Sequence, residues 1–412
     1  MMVLTPAVLA FPFLTFLFST TFYVPTECAT LATPLDPKKL LTFADKQVRA
    51  TAAQVSNLDD YPSAGHCPAC SYWDVTRAGS WVCGFFVSSL LNMYSHSIQT
   101  GNTTAAAYYK NEAISRMSAL KTIANDTGTH DVGFMMFYTY GRAYQLELGE
   151  SYRTVALSAA ASLATRFNPT VGCIRSWGSK SDMSDFQVII DNMMNLELLF
   201  WAANVSNNQT YRDMAVSHAD HTIHDNIRSD GCSIHVIHYD PKTGKIKYKS
   251  NHPQGLYDNS TWARGQAWGM YGFTMAYRYT RFDRYLKAAK ATSDCFLRQL
   301  AVCCNETKVP YWDFSACGDL AHYDTSAGAI ASSALIELSR FLGSTDDGKH
   351  YFTAAIETMS GLSQRPQYLA TPGLTNAVLL KGVGSYPKSE VDVSLIYGDY
   401  FFIEALLRLL TT

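Results

Sequence analysis

The sequence is poor in charged residues, and the charges that it has nearly cancel. Of its 412 residues 17% are charged, and the formal net charge is −2. Nucleic-acid-binding domains are typically basic, with lysine and arginine clustered on one face, so we expect no nucleic-acid partner. The chain also lacks a strand–helix–strand alternation and a glycine-rich phosphate loop, which argues against a doubly wound α/β architecture.

Charge is missing altogether from the first 26 residues, since the first charged side chain is Glu27. The apolar run Val8–Ser19 is long enough for the core of a signal peptide and short for a membrane span. Because a basic n-region is also missing, an uncleaved anchor remains the alternative. We predict a signal peptide over residues 1–26 and a linker over residues 27–39.

Six Asn-X-Ser/Thr sequons also indicate that the protein enters the secretory pathway, because N-glycans are added there. We therefore predict a secreted, N-glycosylated protein with no stable membrane partner. The sequons lie at Asn102, Asn125, Asn204, Asn208, Asn259 and Asn305.

The ten cysteines lack the paired spacing of a zinc site. Cys67 and Cys70 form a Cys-X-X-Cys motif, but no second pair follows at a suitable spacing. In an exported protein, this motif and the adjacent Cys303 and Cys304 are more typical of disulfide partners. We predict no metal ion and no cofactor, and the sequence carries no signal for the oligomeric state.

Amphipathic segments alternate with more apolar segments along the chain after residue 40. A helix with one apolar stripe covers a core, whereas a helix that is apolar on most sides is buried. The alternation predicts six hairpins of outer and inner helices, which can close into an all-α, (α/α)6 toroid. We expect a single domain over residues 40–412, with a β-hairpin near residues 232–250. The inner helices are predicted to begin near Trp81, Asp131, Asp191, Ala263, Thr325 and Tyr397.

The inner segment Ile189–Ala203 is the most informative, because its apolar sequence opens with the polar pair Asp191 and Asn192. A carboxylate at the start of a buried helix must be paired, protonated or functional, since desolvating an isolated charge is costly. Asp191 is therefore an N-cap, an acid with a raised pKa that faces a pocket, or both. The N-cap alternative applies equally to Asp131, Asp324 and Asp399.

The loops that lead into a ring of inner helices surround one cavity, and polar residues occur near the start of five of these helices. Scattered carboxylates, an arginine and several tryptophans around one cleft suit carbohydrate chemistry. Arg264 lies between two tryptophans, so it either stacks on an indole or binds an anionic ligand with its planar fork. His130, His235 and Trp177 are further candidates, each with a structural role as the alternative.

Four long stretches resemble the unsaturated glucuronyl hydrolases, glycoside hydrolase family 88, whose fold is an (α/α)6 barrel. The resemblance implies that Asp191 is the general acid/base and that Asp131, in a His-Asp-X-Gly-Phe context, is a second essential aspartate. The stretches are Ile189–Leu199, Ser260–Phe273, Tyr311–Leu335 and Val391–Leu406. The substrate contacts that the resemblance implies are Trp81, His235, Gln254, Arg264 and Trp268.

Two positions depart from the pattern of that family. Pro253 stands before Gln254 where the family often has histidine, and Phe86 stands where it often has tryptophan. Both departures bear on the preferred sugar rather than on the chemistry.

The resemblance implies that the protein releases a terminal 4,5-unsaturated glucuronate from lyase-generated oligosaccharides by hydrating the C4=C5 bond. Asp191 would protonate C4 and then accept a proton from the water that attacks C5. Arg264 would hold the uronate carboxylate while Trp81 and Trp268 pack against the ring, so the expected partner is an anionic unsaturated oligosaccharide. The alternatives are a galacturonyl or rhamnogalacturonyl hydrolase acting on pectin fragments, a conventional inverting glycosidase, and a non-catalytic sugar-binding protein.

Overall fold

The computed structural model describes residues 34–66 and 72–411, which fall within one compact unit, Thr33–Thr412. The predicted signal peptide over residues 1–26 and the Cys67 and Cys70 motif lie outside the described residues. The first helix begins at Pro37, inside the predicted linker, because the Asp36 carboxylate accepts the backbone N–H of Lys39 at 3.0 Å. Proline at the first helical position already has a helical φ and needs no amide hydrogen.

Helices form most of the fold and alternate between two layers. In chain order the described α-helices are α1 (Pro37–Gln54), α2 (Cys83–Gln99), α3 (Thr103–Leu120), α4 (Val132–Met136), α5 (Arg142–Gln145), α6 (Glu150–Ala164), α7 (Leu196–Ser206), α8 (Gln209–Asp225), α9 (Ala263–Thr280), α10 (Asp283–Cys303), α11 (Thr325–Leu342), α12 (Asp346–Gln364) and α13 (Ile396–Leu410).

The inner layer is a closed ring of helices. Helix α2 packs on α4, α4 on α7, α7 on α9, α9 on α11, α11 on α13, and α13 returns to α2. Helices α2, α9, α11 and α13 are buried on nearly all sides, whereas α1, α3, α8, α10 and α12 bury one stripe and form the outer layer with α6. In the second inner segment, a π-helical turn, Phe137–Gly141, joins α4 to α5. The prediction of six hairpins in an (α/α)6 ring is confirmed.

Short antiparallel strands supplement the helices. Strand β1 pairs with β3, β2 with β9 and β4 with β5, and β6, β7 and β8 form a three-stranded sheet in that order. The strands are β1 (Tyr61–Pro62), β2 (Ala64–Gly65), β3 (Val75–Thr76), β4 (Phe167–Asn168), β5 (Cys173–Ile174), β6 (Phe186–Ile189), β7 (Val236–Tyr239), β8 (Ile246–Ser250) and β9 (Ser394–Leu395).

The start of the third inner segment differs from the predicted helix. The predicted hairpin near residues 232–250 is present as β7 and β8, but β6 joins it, so Ile189 ends a strand. A 3-10 turn, Ile190–Asn195, separates this strand from α7. The pairing continues past the strand, since the backbone N–H of Ile190 donates to the His235 carbonyl at 2.9 Å.

The N-cap alternative holds for Asp324, which caps α11 by accepting the backbone N–H of Ser326 at 3.1 Å. It is wrong for Asp399, which lies inside α13. The two Asp399 oxygens accept the backbone N–H groups of Val378 and Leu379, each at 2.8 Å. Asp399 therefore fixes a loop against the inner ring.

The structure pairs Cys232 with Cys295, whereas Cys303 and Cys304 carry free thiols. The prediction that Cys303 and Cys304 are disulfide partners is therefore wrong, and geometry also disfavours a bond between the two. Cα atoms joined by a trans peptide lie about 3.8 Å apart, which is below the separation of about 4.4–6.8 Å that a disulfide prefers. Within residues 34–66 and 72–411, no helix is long and apolar enough to cross a membrane.

Candidate active site

A cavity of about 800 Å³ opens where the loops lead into the inner helices. Eight of the nine predicted site residues line it, and the ninth, His235, lies beside Asp191. The eight are Trp81, His130, Asp131, Trp177, Asp191, Gln254, Arg264 and Trp268.

The pairing of β6 with β7 places Asp191 beside His235. Ile189, the last residue of β6, is paired with Val236, the first residue of β7. Asp191 comes shortly after Ile189, and His235 comes directly before Val236, so both lie at the same end of the sheet. The Asp191 Oδ1 atom is 3.5 Å from His235 Nδ1.

The surroundings of Asp191 disfavour its negative charge. Its pKa is raised to about 7, chiefly by burial; Arg264 opposes this shift and Asp131 adds to it. Its Oδ1 atom is buried and accepts no hydrogen bond from the described residues, and its side chain caps no helix there. A carboxyl group that titrates near neutral pH can both donate a proton and take one back.

The Asp131 carboxylate, by contrast, faces hydrogen-bond donors. Thr129 Oγ1 donates to Asp131 Oδ2 at 3.0 Å, and His130 Nε2 lies 3.2 Å from Asp131 Oδ1. Burial lowers the pKa of His130, so its ring is neutral at neutral pH. Because His130 Nδ1 accepts from Asn195 Nδ2 at 3.1 Å, the ring hydrogen lies on Nε2 and points to Asp131. Hydrogen bonds to the charged form stabilise a carboxylate.

Glycine at position 133 allows the helix that follows Asp131 to approach Asn195. A Cβ atom on Gly133 would lie 2.5 Å from the Cβ atom of Asn195. At this close approach, the backbone N–H of Phe134 donates to Asn195 Oδ1 at 3.0 Å, which turns the Asn195 Nδ2 group towards His130. The glycine of the His-Asp-X-Gly-Phe motif is therefore needed for this close approach, which in turn orients His130.

Arg264 both stacks on an indole and lines the cavity. Its Nη1 donates to Asp324 Oδ2 at 2.8 Å and to the Val383 carbonyl, and its Nη2 donates to the Gly384 carbonyl at 2.7 Å. The guanidinium carbon lies 4.7 Å from the centroid of the Trp262 ring. Of its five N–H groups, the one on Nε and one on Nη2 remain for a ligand. Its predicted contact with a uronate carboxylate stays a prediction.

Aromatic side chains form much of the cavity wall. Trp81 is 38% exposed and packs on Tyr397 with ring centroids 4.9 Å apart, whereas Trp268 is only 4% exposed and packs edge-on against Phe401. Trp177 stands edge-on to His235. Trp81 therefore presents more of its indole to the cavity than Trp268 does.

Of the two departures from the family pattern, only Pro253 lies on the cavity wall. Phe86 is in the core at 1% exposure, while its neighbour Phe85 lines the cavity, because adjacent residues on a helix point about 100° apart. The described residues hold no group of three His, Cys, Asp or Glu side chains that could bind a metal ion.

The outer part of the cavity is lined by residues that the sequence analysis did not single out. Several lie in the loop just before Val391–Leu406, and their position next to that stretch was the only signal that could have indicated them. The rim residues are Asp74, Thr76, Ser385, Lys388 and Glu390.

Comparison with known proteins identifies the family. The model of Glycosyl Hydrolase Family 88 matches residues 48–406. A curated unsaturated glucuronyl hydrolase of Formosa agariphila is 38% identical over 332 residues, which cover 80% of this chain and 79% of that protein.

Solved structures agree with this match in sequence and in fold. An unsaturated glucuronyl hydrolase specific for heparin has a TM-score of 0.81 at 37% identity, over 90% of this chain and 96% of that chain. A variant from Streptococcus agalactiae, solved with dGlcA-GalNAc6S, has a TM-score of 0.75 at 26% identity, over 92% and 93%. These matches confirm three predictions: the fold, that the protein is an enzyme, and that its substrate is a sugar. The chain belongs to glycosyl hydrolase family 88, as an enzyme of the unsaturated glucuronyl hydrolase type.

Proposed function

We propose that the enzyme releases the terminal 4,5-unsaturated glucuronate from anionic, lyase-generated oligosaccharides by hydrating the C4=C5 bond, with Asp191 as the general acid and base. The observation that carries this proposal is the Asp191 carboxyl group in the cavity: its buried Oδ1 atom accepts no hydrogen bond from the described residues, and burial raises its pKa to about 7. Ordinary glycoside hydrolysis needs an acid together with a base or nucleophile on the other side of the bond. Hydration needs one group that first gives a proton and then accepts one.

Asp191 gives up one proton in the first step and regains one in the second. The protonated carboxyl donates to C4, and the electron pair of the double bond forms the new C–H bond, which leaves C5 positive and stabilised by the ring oxygen. Water then adds to C5, and the Asp191 carboxylate accepts its proton. The resulting hemiketal opens and releases the neighbouring sugar, and Asp191 is protonated again.

The remaining cavity residues suit an anionic sugar ring. Arg264 interacts electrostatically with Asp191, and two of its N–H groups remain to bind the uronate carboxylate. Trp81 offers an exposed indole on which a sugar face can pack. Asp131, oriented by its contacts with Thr129 and His130, can accept hydrogen bonds from sugar hydroxyls.

The test is the loss of the ultraviolet absorbance of the conjugated uronate when the purified protein is mixed with unsaturated disaccharides. We expect turnover by the wild type and a loss of roughly 10²–10⁴-fold in Asp191→Asn. Asp319→Asn, at an exposed position away from the cavity, is the matched control and should match the wild type. Substantial turnover by Asp191→Asn would refute the assignment.

Ranking the substrates in this assay separates the alternatives. Faster turnover of unsaturated glucuronyl than of unsaturated galacturonyl disaccharides would support the proposal, and the reverse order would indicate a pectin-directed enzyme. Binding without turnover of any of them would leave a sugar-binding protein. Pro253 is the departure from the family pattern that lines the cavity, so it is the position at which we expect an altered substrate preference to arise.

We also propose that the protein is secreted through the signal peptide over residues 1–26 and is N-glycosylated. Supporting this, all six sequon asparagines are solvent-exposed, and the chain has a disulfide between Cys232 and Cys295. Protein from a eukaryotic secretory host should lose mass on treatment with an N-glycosidase. An unchanged mass for secreted protein would rule out N-glycosylation.

A further inference from the structure

Two amides, Gln254 and Asn195, each contact a histidine that faces one of the two cavity aspartates. Gln254 Oε1 lies 2.9 Å from His235 Nε2. On the other side of the ring, His235 Nδ1 faces Asp191 Oδ1 at 3.5 Å. Both facing atoms are buried and have no other hydrogen-bond partner in the described structure.

The protonation of His235 follows from these contacts. Burial lowers the pKa of His235 to about 3, so the ring is neutral at neutral pH and carries one N–H. In this orientation of the amide, Gln254 Oε1 can only accept a hydrogen bond, which places the ring hydrogen on Nε2. His235 Nδ1 therefore presents a lone pair to Asp191.

We propose that Gln254 is a positioning residue that fixes this tautomer of His235 and thereby keeps Asp191 protonated until it meets substrate. A protonated Asp191 can donate to the Nδ1 lone pair, whereas an ionised Asp191 would face that lone pair with a negative oxygen. The arrangement therefore favours the neutral acid. This inference rests on the proposed role of Asp191 as the proton donor.

The pair of His130 and Asp131 shows the opposite arrangement in the same cavity. Asn195 donates to His130 Nδ1, because its own oxygen is already held by the backbone N–H of Phe134. His130 therefore directs its N–H to Asp131 and stabilises the carboxylate. With an amide oxygen behind one histidine and an amide N–H behind the other, the first ring presents a lone pair to Asp191 and the second presents an N–H to Asp131.

Other groups also shift the pKa of Asp191, but their effects do not depend on which nitrogen of His235 carries the hydrogen. Arg264 on α9 favours the charged carboxylate, whereas Asp131, before α4, disfavours it. Tyr397 on α13 faces the same group, and burial keeps Tyr397 protonated by raising its pKa. His235 is the neighbour whose effect on Asp191 reverses in sign when its hydrogen moves from Nε2 to Nδ1.

The first measurement is the 15N spectrum of the histidine rings in the substrate-free wild type at neutral pH. We expect His235 to show an unprotonated Nδ1 and a protonated Nε2. In Gln254→Met the acceptor is lost, so the Nδ1–H form should appear and donate to Asp191. A protonated Nδ1 in the wild type would overturn the proposal whether or not the enzyme turns over any substrate.

The second measurement is the pH profile of kcat. Because Asp191 must be protonated to act, kcat should fall as pH rises through its pKa, and in Gln254→Met this limb should move to lower pH by roughly one unit. Gln209→Met, the same substitution at an exposed position outside the cavity, is the matched control and should leave both the pH profile of kcat and the ring spectrum unchanged. If Gln254→Met raises KM without moving the limb, Gln254 only contacts substrate and the proposal is wrong.

Discussion

At the scale of single residues, Asp191 and Asp313 show how differently the fold can surround a carboxyl group. Asp313 is fully buried and accepts from Ser260 Oγ at 2.6 Å and from the backbone N–H groups of Leu256 and Ser315 at 3.0 and 2.9 Å. Asp191 Oδ1 accepts from none of the described residues. Asp313 therefore holds the loop that carries Gln254, whereas the pKa of Asp191 is raised and its Oδ1 atom has no hydrogen-bond donor in the described structure.

The same substitution should therefore have opposite effects on stability at these two positions. The pKa of Asp191 is raised from 3.8 to about 7 in the folded protein, so ionised Asp191 costs stability, and the cost develops as pH rises from about 4 to 7. At pH 8, Asp191→Asn should raise the free energy of unfolding by roughly 1–3 kcal/mol, and at pH 4 this gain should disappear. Asp313→Asn should lower it by about 1–3 kcal/mol, because an NH2 group would face hydrogen-bond donors.

Urea unfolding of both variants at pH 8 and pH 4 measures these differences. A destabilised Asp191→Asn protein at pH 8 would mean that the carboxylate is stabilised in the fold, contrary to the geometry at Oδ1. The comparison does not depend on any substrate.

At the scale of secondary-structure elements, the helices could be predicted from the sequence and the strand beside Asp191 could not. Helical periodicity is a local property, so α1, α8 and α10 could be identified from spacing alone. Strand β6 has four residues, and its partner β7 begins at Val236, many residues later. No local pattern reports such a pairing, yet it is this pairing that places Asp191 beside His235.

The same distinction explains the aspartates that were assigned as possible caps. Asp324 caps the helix that directly follows it, and this contact is local. Asp399 binds the backbone of Val378 and Leu379, from a separate loop. The partners of Arg264 at Val383 and Gly384 are likewise distant in sequence. Residue types and a family resemblance predicted which side chains line the cavity, but the partners that set their charges follow from tertiary contacts.

At the scale of the whole molecule, paired charges hold the inner ring together away from the catalytic cavity. Arg278 on α9 forms ion pairs of 2.7 Å with Glu197 on α7 and Glu337 on α11, and Arg408 on α13 also pairs with Glu337 at 2.7 Å. These bridges join four successive inner helices. Removing one partner of such a buried pair is strongly destabilising, because it leaves the other charge unpaired, so these bridges fix the four helices relative to one another.

The disulfide between Cys232 and Cys295 adds a covalent tie between the segment before β7 and the outer helix α10. It closes a loop with a sequence separation of 63 residues, and closing a loop of that length stabilises a protein by roughly 4 kcal/mol, mainly by restricting the unfolded chain. The double variant Cys232→Ala/Cys295→Ala should lose about that much free energy of unfolding in a urea titration, and the wild type in reducing agent should lose a similar amount.

Cys83→Ala is the matched control, because Cys83 is a fully buried free thiol and its removal should cost only about 1 kcal/mol. If the double variant loses no more than twice the loss of Cys83→Ala, the stabilisation comes from sulfur packing and not from loop closure. Since Cys232 lies shortly before His235 in the chain, loss of the tie should also lower kcat near the unfolding temperature before it changes the helical content. That order of events would place the weakest part of the reduced fold beside Asp191.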